Sequence, residues 1–455
     1  MTDGEPLLSV RNLKKHYPIT EGMLSKEVGR VRAVDGVSFD IARGETLGLV
    51  GESGCGKSTA ASSIIRLEEP TAGEVIFNSN QYDDVAHTGD GPHPNDVTRF
   101  DDKRLKEFRR QAQMIYQDPS SSFDPRMTIG ESVAEPLRVH GLTDKARRRA
   151  IVEDLLERVG LSADDVHRYP HEFSGGQKQR VGLARALVLN PELIVADEPV
   201  SALDVSVQAE VLSLMDEIQE EFSLSMLLIS HDMGVVREVC DRVAVMYLGE
   251  IVEIGPTEEL FENPQHPYTQ ALLSSIPRPD PRKRGMGIEL TGDVPSPSDP
   301  PSGCRFHTRC PKVIQPEGYD FEQTHWRAVM NFRERVAKHE IDVGAVREFA
   351  AAEDGGNVEE ADVPLDRIDE VLREEFDIPE QLSDPSAESV LAEAIEYVSE
   401  GDFDRADDLL STEFETVCES RTPEFIETRP GQRASCLLHT YEEADDSKRS
   451  ASLDD

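Results

Sequence analysis

Nine residues, Gly51-Glu52-Ser53-Gly54-Cys55-Gly56-Lys57-Ser58-Thr59, constrain this 455-residue chain more than any other segment. They match G-x-x-x-x-G-K-[ST] and follow the apolar run Glu45-Thr46-Leu47-Gly48-Leu49-Val50, which reads as a short buried strand. Residues 57–67 read as the helix that the loop opens. The glycines let backbone N–H groups curl around a phosphate, and the helix N-terminus adds positive potential. Lys57 places a charge on the terminal phosphates, and the Ser58 hydroxyl is a Mg²⁺ ligand. Cys55 holds a variable position of the loop and is assigned no chemistry.

A second element is the buried strand Leu193-Ile194-Val195-Ala196-Asp197, followed by Glu198 and Pro199. A strand ending in a carboxylate presents Asp197 to the Mg²⁺ shell. Glu198 then stands at the carboxyl edge of the sheet, placed to polarise an attacking water. Residues 226–230 form another apolar strand, so strands and helices alternate over residues 7–255 and imply a parallel sheet covered on both faces. The strands disappear at about 118–176, where residues 147–159 are strongly helical, so a helical subdomain is inserted there. The polar stretch 78–102 reads as a long surface loop.

Together these segments resemble the ABC-type ATPase family. Ser174-Gly175-Gly176-Gln177, directly before a helix, matches its signature, which in the family completes the ATP site of the opposite subunit. Gln117, in Met114-Ile115-Tyr116-Gln117-Asp118, matches the glutamine that senses Mg²⁺ and water. Asp204, in Ser201-Ala202-Leu203-Asp204, matches the D-loop, and His231 matches the histidine at the γ-phosphate. Tyr17 is the best match for the aromatic that stacks on adenine, with His16 and Phe39 as competitors. The resemblance implies catalytic roles for Glu198, His231 and Gln117. It implies Mg²⁺ on Ser58, Gln117 and Asp197, and nucleotide on Tyr17 and residues 51–59.

Beyond residue 255 the resemblance narrows to the oligopeptide/dipeptide importer branch. It is carried by residues 261–273, by Ile276-Pro277-Arg278-Pro279-Asp280-Pro281 and by Gly303-Cys304-Arg305-Phe306-His307-Thr308-Arg309-Cys310-Pro311. Cys418, Pro423, Gly431 and Ala434-Ser435-Cys436 look like the rest of that extension, separated from it by about a hundred residues. Cys304, Cys310, Cys418 and Cys436 in two pairs could hold zinc or an iron–sulfur cluster; four separate thiols is the other reading. Residues 277–281 and 295–301 read as linkers. Between 340 and 415 there are 26 acidic and four basic residues. Residues 392–410 read as a helical hairpin turning at Gly401-Asp402, and the whole stretch as a solvated acidic insert.

The expected architecture is therefore an α/β P-loop NTPase core of ABC type with an inserted helical subdomain. A cysteine-bearing C-terminal extension follows, interrupted by an acidic, mostly helical insertion. The expected boundaries are 1–255 for the ATPase, 256–311 for the extension, 312–417 for the insertion and 418–455 for the end of the extension and an acidic tail.

The formal charge of −41 argues against nonspecific nucleic-acid binding, which draws on Lys and Arg. With 12 Lys among 48 basic residues, it suits a cytoplasm at molar salt, where the Debye length is about 3 Å. No signal peptide and no run of the roughly 18–20 apolar residues that a span needs can be seen.

The expectation is an ATP-hydrolysing subunit on the cytoplasmic face of a membrane importer for di- or oligopeptides, with nickel or another small solute as the alternative cargo. Its partners would be two membrane permeases, contacted through the helical subdomain and residues 117–129. A second ATPase subunit would pair with it, and an extracytoplasmic binding protein would act indirectly. A repair ATPase would need a long coiled coil between the two halves of the phosphate site. A translation factor would usually carry two phosphate loops; this chain has neither feature.

Overall fold

The computed structural model describes residues 5–22, 26–79, 92–118, 122–201, 203–276, 288, 290, 292–352 with the backbone of 353, and 363–440. The linker 277–281, most of the polar loop after 78 and the acidic tail from 441 lie outside the described residues. The chain divides into two compact units, residues 1–264 with 429–434, and residues 265–428 with 435–455.

The first unit holds two sheets. Strands β1 (Leu8–Glu21), β2 (Lys26–Ile41) and β4 (Ala72–Phe77) form an antiparallel sheet in the order β2-β1-β4. The main sheet contains β3 (Thr46–Val50), β5 (Ala112–Ile115), β6 (Leu193–Asp197), β7 (Ser225–Ser230), β8 (Arg242–Tyr247) and β9 (Glu250–Pro256). Its order β9-β8-β3-β7-β6-β5 is parallel from β8 to β5. Every residue of β3, β6 and β7 is buried, as strands covered on both faces require. Helices α1 (Lys57–Ile64) and α2 (Asp102–Gln111) follow β3 and β4, and α6 (Val205–Phe222), α7 (Met233–Val239) and α8 (Thr257–Glu262) follow β6, β7 and β9.

Between β5 and β6 stand α3 (Ile129–Val139), α4 (Lys145–Arg158) and α5 (Gly175–Leu187). Helix α3 starts on a capping box, with Thr128 accepting from the Glu131 N–H and Glu131 accepting from the Thr128 N–H. Ile129 is fully buried and cannot itself meet a partner, while Met127 and Thr128 of the same apolar region are half-buried. The end of the polar loop is also not wholly solvated. Asp96 is completely buried, accepts from the Val75 and Thr98 N–H groups, and ties residues 96–98 to β4.

One strand of the main sheet comes from far along the chain. Residues Gln432–Ala434 pair with β9, Arg433 opposite Ile254 and Ala434 opposite Glu253. Gln432 is fully buried, and its amide donates to Glu253 Oε1 at 2.8 Å.

The second unit begins with α9 (Pro267–Ser274) and is mostly α10 (Gln323–Ala337), α11 (Val343–Glu353), α12 (Leu365–Glu375), α13 (Pro385–Glu400), α14 (Phe403–Glu413) and α15 (Val417–Ser420). The expected hairpin is present: α13 ends on Gly401 at φ +79°, and Asp402 caps α14. The insert is not merely solvated. Trp326, Phe332, Leu391, Val398, Leu410 and Phe414 are buried in a core of its own. The Phe321 ring centroid lies 5.0 Å from that of Trp326, with the rings tilted, and 5.5 Å from that of Phe414, edge to face.

Candidate functional site

Parallel pairing in the order β3-β7-β6-β5 sets four strand ends side by side. Val50 lies opposite Ser230, Ile229 opposite Asp197, and Ala196 opposite Ile115. The residues just beyond those ends, at 51–59, 231, 198 and 117, therefore share one edge of the sheet. This is the crevice where open α/β sheets bind ligands.

The loop at 51–56 is built around left-handed glycines. Gly51 has φ +153°, Gly54 +82° and Gly56 +108°. A Cβ at Gly51 would lie 2.1 Å from the Met246 carbonyl oxygen, and one at Gly56 would lie 2.0 Å from that of Ala33. Only glycine fits either position. Gly56 caps α1, whose first turn has no acidic side chain to quench its N-terminal potential. Lys57 is buried and its ammonium donates to the carbonyls of Gly51 at 2.8 Å and Glu52 at 2.9 Å. The cation is thereby held across the mouth of the loop. Burial pushes the Cys55 thiol up, against the pull of the neighbouring Lys57.

Ser58 donates to Asp197 Oδ1 at 3.1 Å. Burial raises the Asp197 pKa; the Ser58 hydrogen bond and Lys57 oppose the rise, and the charge of Glu198 adds to it. The hydroxyl and the buried carboxylate are oxygen donors of the kind Mg²⁺ takes.

Glu198 stands at φ +45°, a left-handed conformation that costs a non-glycine residue about 1–2 kcal/mol. Its N–H donates to the Ile229 carbonyl at 2.9 Å, which holds that turn against β7. Its carboxylate is gripped on both oxygens. Gln117 Nε2 donates to Oε2 at 2.9 Å, and His231 Nδ1 lies 2.9 Å from Oε1. The structure thus brings together the three residues read from the sequence as catalytic.

Tyr17 lies beside α1. Its hydroxyl hydrogen-bonds Glu68 and the Thr59 side chain, and Lys15 sits 4.9 Å from its ring centroid. Burial and Glu68 raise its pKa. The two competitors are engaged otherwise: His16 Nε2 pairs with Asp35 at 2.9 Å, and Phe39 is buried. Glu68 and Lys15 belong to this corner, and no motif in the sequence marks them.

Ser174 caps α5 in a capping box with Gln177. Ser174 and Gly175 are exposed, while Gly176 is buried, and a Cβ on it would lie 2.3 Å from Val207. Asp204 caps α6, accepting from Ser206 at 2.8 Å and the Val207 N–H at 3.1 Å, and these bonds lower its pKa.

In the second unit, all four sequence-marked cysteines are free thiols. The Cys304 N–H donates to the Cys418 carbonyl at 2.8 Å. Burial pushes the Cys310 thiol well up, and the charges of Cys304, Cys436 and Cys418 each add to that. The four therefore share one neighbourhood. Among the described residues, however, no three His, Cys, Asp or Glu side chains converge as a metal's ligand set.

Comparison with known proteins gives three family matches. Residues 34–201 match the ABC transporter family, residues 252–316 the oligopeptide/dipeptide transporter C-terminal region, and residues 323–431 a domain family of unknown function. The chain is 52% identical over 312 residues to the oligopeptide transport ATP-binding protein AppF of Bacillus subtilis, covering 68% of this chain and 90% of that protein. It is 52% identical over 309 residues to a putative peptide import ATP-binding protein of Brucella ovis, covering 68% and 90%. It is 50% identical over 297 residues to the glutathione import ATP-binding protein GsiA of Escherichia coli, covering 65% of this chain and 45% of that one.

Proposed function

This chain belongs to the ABC transporter ATP-binding family, in its oligopeptide/dipeptide branch, and from that premise we propose how it works. It is the ATP-binding and ATP-hydrolysing subunit that powers a peptide importer. The observation that carries the catalytic reading is Glu198, gripped by Gln117 and His231 beside the loop at 51–59.

The N–H groups of residues 51–56 and the Lys57 ammonium bind the phosphates of ATP, and Tyr17 supports the base. Ser58, Asp197 and Gln117 would hold Mg²⁺, which when bound neutralises charge on the phosphates. Glu198 accepts a hydrogen bond from the attacking water and orients it toward the terminal phosphate. His231 steadies the Glu198 carboxylate through Nδ1 and, with both ring nitrogens protonated, donates from Nε2 to the phosphate oxygen. The exposed Ser174 and Gly175 at the start of α5 complete the site of a second ATPase subunit, and Asp204 lies at that junction.

A groove of about 490 Å³ supplies the link to the membrane. It is lined by Ile65, Tyr116, Phe123, Pro136 and Arg185, among others, with Leu67 47% and Tyr116 43% exposed. We assign it to the cytoplasmic segments of the permeases. Tyr116 precedes Gln117, so force on the groove reaches the amide that grips Glu198. Among the described residues no helix is long and apolar enough to cross a membrane. In this reading the subunit works on separate permeases, at their cytoplasmic side. An extracytoplasmic binding protein would deliver the peptide; the same architecture would serve nickel or another small solute.

A zinc or iron–sulfur reading of Cys304, Cys310, Cys418 and Cys436 has their donor chemistry and shared neighbourhood in its favour. Against it stands the lack of a converged ligand set.

The test is ATP hydrolysis by the subunit reconstituted with its permeases in vesicles. Peptide with its binding protein should stimulate turnover. Stimulation by a nickel chelate and not by peptide would replace the cargo, and no response to any permease would remove the transport role.

A further inference from the structure

The acidic insertion carries a groove that neither the catalytic site nor the permease groove uses. It lies between α11 and α12 and holds about 410 Å³. Val346 and Val371 are buried along it, and Phe349 stands 54% exposed at its side. Phe349 shares its side of α11 with Ala345, Val346 and Ala352, and full burial of a phenylalanine is worth roughly 1.5–3 kcal/mol.

The rim is acidic: Glu340, Asp342, Glu374 and Glu375 all line the groove. Their engagements leave charge over. Glu340 is paired with Arg335 at 2.6 Å, and Asp342 accepts from the Ala345 N–H at the start of α11. Among the described residues, Glu374 and Glu375 form no ion pair, although Arg335 lies close enough to Glu375 to feel its charge. The four basic residues between 340 and 415 do not supply the missing charge, because each is engaged elsewhere. Arg347 donates to the Ser399 carbonyl, Arg367 to Glu370, Arg373 to Asp369 and Glu388, and Arg405 to Tyr397.

We propose that this groove docks a short cationic segment of a partner protein, with one apolar anchor seated against Phe349, Val346 and Val371. Lys or Arg on either side of the anchor meets Glu374 and Glu375. Charge selects the segment and sets its approach, and the apolar anchor retains it when salt screens the charges.

A synthetic twelve-residue peptide with one central Leu-Leu pair flanked by Arg and Lys is the probe, labelled at its N-terminus. Its binding to the full chain is followed by fluorescence anisotropy at 0.15 M KCl. Phe349→Ala, and separately Glu374→Gln with Glu375→Gln, should each weaken binding at least tenfold. These sites are on the surface, so circular dichroism should be unchanged. Asp407→Asn with Asp408→Asn removes the same charge outside the groove and should leave affinity within twofold. Equal losses in both double variants would reduce the effect to general attraction by an acidic protein and overturn the proposal. A probe with Ser in place of Leu that binds as well would do the same. This chain has a basic run of its own, Arg282-Lys283-Arg284, outside the described residues. If replacing those three residues by Ala raised probe affinity tenfold, the groove's occupant would be that run and the partner would be refuted.

Discussion

At the scale of single residues, Glu198 shows what parallel topology does for chemistry. Its backbone is held left-handed by the Ile229 carbonyl, and its carboxylate meets side chains from the ends of β5 and β7. Gln117, Glu198 and His231 are 81 and 33 positions apart in sequence, yet each could be found, because each follows an apolar strand or a local motif. Glu68 and Lys15 could not, since a Glu after a helix or a Lys within a strand carries no pattern. The cysteines stand between these cases: their segments were legible and their arrangement was not. If they hold a thiophilic centre, protein purified without oxygen should contain zinc, or iron with acid-labile sulfide, and Cys418→Ser should lose it. Elemental analysis decides; metal-free protein in both forms leaves four thiols.

At the scale of elements, short caps do most of the local work. Thr416 and Glu419 form a capping box on α15, and the Glu419 carboxylate also meets Arg333 at 2.9 Å and His307 at 3.5 Å. Burial alone would push the Glu419 pKa up, but His307 and Arg333 outweigh it and hold the carboxyl at about 2, against an ordinary 4.5. A depressed carboxyl stabilises the fold fully above its unfolded value, and that contribution fades as pH falls from about 4.5 toward 2. Its size is on the order of 3 kcal/mol. The chain's single tryptophan, Trp326, is buried in the same unit and reports its unfolding. Followed by Trp326 fluorescence, Glu419→Gln should lower stability at neutral pH and flatten its pH dependence between 4.5 and 2. An unchanged slope would remove the assignment. The insertion is also where composition misleads. So many Asp and Glu between 340 and 415 suggest a solvated segment, while Leu391, Ala394, Ile395 and Val398 recur at helical spacings on α13 and are buried. The return of residues 432–434 to the main sheet is not legible at all, since three residues carry no periodicity.

At the scale of the whole molecule, charge and catalysis make separate claims. With a formal charge of −41, carboxylate repulsion should destabilise the fold at low ionic strength. The thermal midpoint should rise from low to molar KCl; a flat dependence would confine the acidity to a local role. The central claim is that Glu198 polarises the water that cleaves ATP bound at residues 51–59. The most direct measurement is phosphate release by wild type and Glu198→Gln under saturating Mg·ATP, with bound nucleotide measured on the same samples. The variant should bind ATP as well as wild type while turnover falls by about 10²–10⁴-fold, since the amide cannot accept the water's proton. Turnover by Glu198→Gln at the wild-type rate would contradict the account.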